Sequence, residues 1–250
     1  MRRAERLDGI LARLASDGSV SVRELTETLG ASSATVRRDL RLLEEQKLLS
    51  RSHGGAVSNG LLYELPVPYR GGQHAAEKSR IAEAAADRIA DAQTVGLTGG
   101  TTTTEVARRL RDRKLTVVTN AVNIASELVI SQTIRLVVTG GVARPQSYEL
   151  IGPLAERTLE GLNVDVMFLG VDGVNASGAT THDEIEAQTN TKMVERASRV
   201  VVVCDSSKIG RSALSSICGL PEIDELITDV GASHERLEPI RAAGLEVMQV

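Results

Sequence analysis

The chain has 250 residues, 42% of them hydrophobic and 25% charged, enough for one sizeable core with a smaller companion and too apolar for a disordered segment. Its formal net charge of −4 excludes no partner, because an average over the chain hides a locally basic module. Two cysteines, Cys204 and Cys218, lie outside any CxxC or Cys/His spacing, no run reaches the roughly 18 to 20 apolar residues of a membrane span, and the start MRRAERLDGILARLAS lacks the apolar centre of a signal peptide. These features point to a reduced, cytoplasmic protein with no membrane contact, no metal and no cofactor.

Leu7, Ile10, Leu11 and Leu14 keep helical spacing up to Asp17-Gly18. A second helix starts at Ser21, whose spacing to Glu24 is that of a capping box, turns Leu25 and Leu29 inward, and ends at Gly30. A third begins at Ser32 or Ser33 and buries Val36, Leu40 and Leu43, which leaves Ala34, Arg38 and Arg41 on the free face with Thr35 and Arg37 beside them. Two short helices in this order are a helix-turn-helix.

A helix that enters the major groove end-on needs small residues at its start. Ser32, Ser33 and Thr35 let amides and hydroxyls approach phosphates and base edges, while Arg37, Arg38 and Arg41 offer forked donors to guanine or phosphate. The bland alternative for these arginines is a solvated face, with Asp39 pairing one of them. LLSRSHGGAVS then supplies two extended runs around Arg51, His53 and a Gly54-Gly55 turn, suited to a β-wing over the adjacent backbone. Residues 1–55 hold ten basic against eight acidic groups, a modest excess. The organisation expected is a DNA-binding domain over 1–56, a linker rich in Gly, Pro and Tyr over 57–74, and an α/β domain over 75–250.

From Glu77 onward, β-branched runs alternate with helical patterns. TVGLT, LTVVTN, IRLVVTGG, VDVMFLGVDG, RVVVVCDSSK, DELITD and LEVMQV predict a parallel sheet with helices on both faces. Ligands of such folds bind outside the carboxyl ends of the strands, and here those ends carry glycine, hydroxyl, amide, carboxylate and ammonium. Gly99, Gly100, Thr101, Thr102 and Thr103, opening the helix EVARRL, suit a phosphate held by amides and a helix dipole. Lys208 adds a point charge, and Asn120, Gly141, Asp172, Glu184 and Asp205 complete a polar rim for sugar hydroxyls. No GxxxxGK[ST] or GxGxxG occurs and only 2% of residues are aromatic, which favours a phosphorylated sugar over a nucleotide.

SSATVRRDLRLLEEQKLLSRSHGGA, followed by GGTTTTEVARRL, VVTN, TGG, LIGPLA, FLGVDGV and VVCDSSKIG, resembles the DeoR/GlpR family of bacterial sugar-metabolism repressors over essentially the whole chain. The resemblance implies a winged helix-turn-helix joined to an α/β domain similar to phosphosugar isomerases. It also implies that a phosphorylated sugar bound there alters affinity for double-stranded operator DNA. Thr98 departs from the pattern, since many members have an acidic residue before the glycine.

The alternative from another class is a phosphosugar isomerase using Asp172, His182, Asp183 and Glu184 as acid/base groups, and a weaker one is a DNA-organising protein. The helix-turn-helix argues against the first and the polar rim against the second. One small module contacts too few base pairs to select a genomic site, so a homo-oligomer that pairs its modules is expected.

Overall fold

The structure is a computed structural model that describes residues 3–45, 48–57 and 73–250. It divides into two compact units, 1–73 and 74–250. The connector expected over 57–74 falls mostly on residues 58–72, outside the described residues.

In the first unit, helices α1 (Arg3–Asp17), α2 (Val22–Leu29) and α3 (Ser33–Glu45) enclose a core of Leu7, Ile10, Leu11, Leu14, Leu25, Val36, Leu40 and Leu43. These are the apolar positions that the helical spacing selects. The Ser21–Glu24 capping box forms in both directions, and Gly30 ends α2 in the left-handed conformation. Strand β1 (Ser19–Ser21) was not expected. It pairs antiparallel with β3 (Gly55–Val57), which also pairs with β2 (Ser50–Ser52) to form the wing. A Cβ on Gly55 would stand 2.0 Å from the Val20 carbonyl oxygen, so glycine is what lets the wing close onto β1.

The second unit is built on a seven-stranded sheet, entirely parallel, in the order β15-β14-β12-β9-β4-β5-β6. Its strands are β4 (Thr94–Leu97), β5 (Thr116–Thr119), β6 (Arg135–Val138), β9 (Val166–Leu169), β12 (Val200–Val203), β14 (Glu225–Thr228) and β15 (Glu246–Gln249). Each lies within one of the seven apolar runs. The alternation of side chains divides the core in two: Met167 and Leu169 join one apolar cluster, Val166 and Phe168 the other. Helices α4 (Ala75–Ala86), α5 (Thr101–Leu110) and α6 (Val122–Leu128) cover the second face. Helices α8 (Glu184–Glu195) and α9 (His234–Ala242) cover the first, with Leu159 of α7 (Pro153–Glu160).

Short hairpins that the sequence reading passed over decorate the sheet: β7 (Val142–Arg144) with β8 (Glu149–Ile151), and β10 (Gly173–Asn175) with β11 (Gly178–Thr181) and β13 (Ser215–Cys218). Both cysteines are buried free thiols, and burial pushes Cys218 up to about 12, which leaves it unreactive. No helix among the described residues is long and apolar enough to cross a membrane.

Candidate functional site

The start of α3 is exposed and polar. The Ser32 hydroxyl accepts the Thr35 amide N–H at 3.3 Å and lies 2.9 Å from the Thr35 hydroxyl, so Ser32 caps the helix and is not itself part of it. Ser33, Arg37, Arg38 and Arg41 are exposed, and the three arginines form no ion pair among the described residues. Asp39 faces inward instead. Its carboxylate accepts from Arg6 Nε of α1 at 2.6 Å, with Arg3 at 3.8 Å, so the one acid in the RRDL run orients the helix and leaves the outer arginines uncompensated. On the wing, Arg51 is anchored to α3, its amide donating to Glu44 at 3.1 Å and its guanidinium 3.6 Å from the same carboxylate. His53 sits exposed in the β2–β3 turn, beside Gly54 at φ 87°.

In the second unit, β4, β5 and β6 run to one side and β9, β12, β14 and β15 to the other, so the strand order reverses between β4 and β9. The crevice at such a reversal is where an open α/β sheet receives a ligand. Gly99 and Gly100 leave β4 there and lead into α5. Gly100, at φ 129°, stands at the N-cap, and no side-chain cap is bonded to the first turn among the described residues. The loop from β9 closes in from the other side, Gly170 donating its N–H to the Thr98 hydroxyl at 2.9 Å. A Cβ on Gly170 would come within 2.7 Å of the Gly99 carbonyl oxygen.

The threonines divide their work. Thr103 and Thr104 donate their hydroxyl hydrogens to the Gly100 carbonyl at 3.1 and 2.6 Å, which fixes the loop. Thr101 is half-buried and Thr102 is buried beside them.

Further along the rim, Lys208 Nζ lies 3.4 Å from Asp172 Oδ1. The Thr181 hydroxyl stands between Asp172 Oδ2 at 3.1 Å and Glu186 Oε1 at 2.5 Å. Arg144 of β7 binds Glu186 at 3.2 Å and Asp183 at 3.1 Å. Beneath the glycine loop, Glu149 accepts the Gly99 N–H at 2.5 Å and the Asn190 amide at 3.2 Å. Asn190 in turn accepts from Asn120 Nδ2 at 3.1 Å, while Asn120 Oδ1 is buried with no partner among the described residues. Burial, and then the Glu186 charge, hold the Glu149 carboxyl well above the ordinary carboxylate range, against the pull of the Gly99 N–H and Asn190.

The structure gives three sequence-selected residues other placements or duties. Glu184 is exposed on the first turn of α8, and Glu186 takes the inward place. Two positions on a helix are about 200° apart, so the pair face opposite ways, and the stripe Glu186, Asn190, Met193 carries the signal that marks Glu186 as the inward one. Asp205 is occupied as the cap of the turn Ser206–Lys208, accepting from Ser207 N at 3.1 Å. Gly141 meets a backbone demand: φ is 134°, and a Cβ would lie 2.8 Å from the Ile151 carbonyl oxygen. Asn120, Asp172, Lys208 and the glycine-threonine loop do share the rim. Glu149, Glu186, Asn190, Arg144, Thr181 and Gly170 were missed.

Of the isomerase set, Asp172 is paired with Lys208 and the Thr181 hydroxyl, and Glu184 is exposed. Asp183 caps α8, accepting from the amides of Ile185 and Glu186, and Arg144 helps to hold it charged. Among the described residues no group of three or more His, Cys, Asp and Glu is arranged to hold a metal ion.

The chain matches the DeoR-like helix-turn-helix domain over residues 6–60 and the DeoR C terminal sensor domain over residues 73–230. It is a transcriptional regulator of the DeoR family. Over 248 residues this regulator is 39% identical to the HTH-type transcriptional regulator GlpR of Haloferax volcanii, covering 98% of this chain and 97% of that one. It is 32% identical over 231 residues to the glycerol-3-phosphate regulon repressor of Escherichia coli K12, covering 92% of each. Likeness to a lactose phosphotransferase system repressor of Staphylococcus epidermidis is 34% over 233 residues, covering 92% of this chain and 93% of that one. The α/β layering of this DeoR regulator also overlaps ribose 5-phosphate isomerase A of Methanocaldococcus jannaschii, at TM-score 0.37 and 18% identity over 54% of this chain and 55% of that one. That likeness is too slight to bear on activity.

Proposed function

We propose that this regulator is a cytoplasmic, homo-oligomeric repressor of carbohydrate genes, without enzymatic activity, whose grip on operator DNA is set by a phosphorylated sugar. Residues 1–56 contact DNA, 57–74 link, and 75–250 sense and assemble. Ser33, Thr35, Arg37, Arg38 and Arg41 enter the major groove, with Ser32 shaping the helix start and Arg51 and His53 on the adjacent backbone. The observation that carries the sensing half is the uncapped α5 N-terminus, opening into the crevice between β4 and β9 with Lys208 on the same rim. Amides of Gly100, Thr101 and Thr102 hold the phosphate, and Asp172 and Asn120 lie on the side of the hydroxyls. Relatives named for glycerol-3-phosphate and for a sugar phosphotransferase system support a ligand of this class.

A ligand shifts the DNA-binding equilibrium only by its differential affinity for the two states, so release fails when the phosphate grip is lost. Each charge-assisted bond to phosphate contributes about 1.5 to 3 kcal/mol. Calorimetry with matched sugars and sugar phosphates, alongside operator binding in the presence of each, is the test. Lys208→Ala and Thr102→Val are expected to stay folded and bound to operator but to resist release. Equal affinity for a sugar and its phosphate, or normal release in both variants, overturns the reading.

A further inference from the structure

Glu149 is the acid at the centre of the buried polar network, and the functional reading above gives it no role. It comes from β8, where it bridges Ala121 just after β5. Its approach to the glycine loop is close: a Cβ on Gly99 would overlap the Glu149 Cγ at 2.5 Å and Oε1 at 2.6 Å. Gly99 is glycine because this side chain packs on it, and the 2.5 Å bond from its N–H is the loop's anchor on that side. Asn190 and Asn120 continue the chain of hydrogen bonds to an amide oxygen, Asn120 Oδ1, that is sealed and unsatisfied.

We propose that Glu149 is a positioning residue of the effector site: by holding the Gly99 amide it fixes the glycine loop in the pose whose next amides receive the effector's phosphate. The inference rests on the phosphate placement of the preceding section. Charged groups face Glu149 from several elements. Glu186 on α8 and Asp172 after β9 are both acidic, Arg144 of β7 is bound to Glu186 and Lys208 to Asp172, while the β4–α5 loop and the end of β5 bring only amides and hydroxyls. In that setting burial and the neighbouring acids disfavour the ionised form of Glu149. Uncharged, it still accepts the Gly99 N–H through Oε1 and places no negative charge beside a phosphate dianion. Ionised, it repels the ligand that its loop is shaped to hold.

The sign of the pH dependence follows. The dianion's affinity is full while Glu149 is protonated and falls as pH rises through its raised value, by up to about ten-fold per pH unit for one linked proton. Glu149→Gln keeps a carbonyl for Gly99 and is permanently neutral. Its amide can donate to Asn190 once the amides of Asn190 and Asn120 both turn over, so that Asn190 Nδ2 then donates to Asn120 Oδ1.

The test is a titration of the full chain with inorganic phosphate, followed through the backbone amide resonances of Gly99, Gly100 and Thr101. It is run upward in pH from the point at which inorganic phosphate is already fully the dianion. The wild type is expected to lose affinity as pH rises through the raised Glu149 value. Glu149→Gln should match it at the lower pH and show no decline, and Glu149→Ala should bind at least about ten-fold more weakly throughout, the equivalent of about 1.4 kcal/mol. A parallel decline in Glu149→Gln, or undiminished binding by Glu149→Ala, overturns the role of Glu149 alone. Loop amides that do not respond to phosphate in the wild type overturn the phosphate placement, and the inference with it.

Discussion

Asp39 offers the sharpest physical test of how the DNA-binding unit presents its arginines. Its side chain is only 2% exposed and takes a 2.6 Å bond from Arg6, itself 13% exposed, so α1 and the recognition helix are tied by an ion pair that water barely reaches. Truncating one partner of a fully buried pair costs about 3 to 5 kcal/mol, because the other charge is left uncompensated. Arg6 retains a little contact with water and can turn toward it, which places Asp39→Ala near about 2 to 3 kcal/mol. Arg3, at 3.8 Å and 57% exposed, adds little to that figure. For a unit of this size each kcal/mol lowers the midpoint by about 4 to 8 °C, so the transition of residues 1–73 should move by about 10 to 20 °C. The sensor unit's transition should stay in place. Scanning calorimetry of the full chain measures both, and an Arg6→Ala/Asp39→Ala double-mutant cycle isolates the coupling. A coupling below about 0.5 kcal/mol would refute the claim that this pair orients the helix.

Arg38→Ala should weaken specific operator binding by about 1 to 3 kcal/mol in gel shifts at fixed salt, leaving the sensor unit folded. Unchanged affinity would make the arginine part of a solvated face. Asp183→Ala should destabilise the sensor unit by about 0.5 to 2 kcal/mol at neutral pH through loss of the α8 cap. Burial raises the Asp183 pKa, but the amides of Glu186 and Ile185 together with Arg144 outweigh it and hold the group below the ordinary carboxylate value. Its stabilisation is therefore present above that ordinary value and is lost as pH falls through the depressed one. Urea melts of wild type and variant should converge in acid, and a gap that persists there would contradict the capping role.

The long elements were legible because each carries many residues of one period. Seven β-branched runs became the seven parallel strands, and the i, i+4, i+7 stripe of Val36, Leu40 and Leu43 became the buried side of α3. Strands of three or four residues give no period to read. β1 was hidden because Ser19, Val20 and Ser21 look like a break and a helix cap, and the serine does cap α2 while pairing with Gly55. On the rim, residues that follow a strand directly could be placed by position alone, as with Gly99, Asn120 and Asp172. Glu149 and Arg144 could not, because a hairpin folded back over the sheet brings them there. Glu186 was within reach, since its register with Asn190 and Met193 separates it from Glu184, but one turn of helix is a weak signal beside an exposed run of acids.

The bond from Gly170 to Thr98 spans 72 residues of chain. The crevice between β4 and β9 therefore has no existence in either half of the sheet alone; it appears only when the strands before residue 140 dock with those after 165. Closing so long a loop is slow relative to forming either half, so the β4–β9 junction belongs among the last features to mature as the chain folds. A ligand held there is bound by the completed sheet and feeds its binding energy to the whole of it. At a hundred times its dissociation constant such a ligand adds about 2.7 kcal/mol, shared by strands as distant as β6 and β15 that it never touches. A sensor unit that binds its ligand in this crevice is in this sense tightened by it, and its resistance to proteases in a cell would then rise and fall with the supply of that ligand.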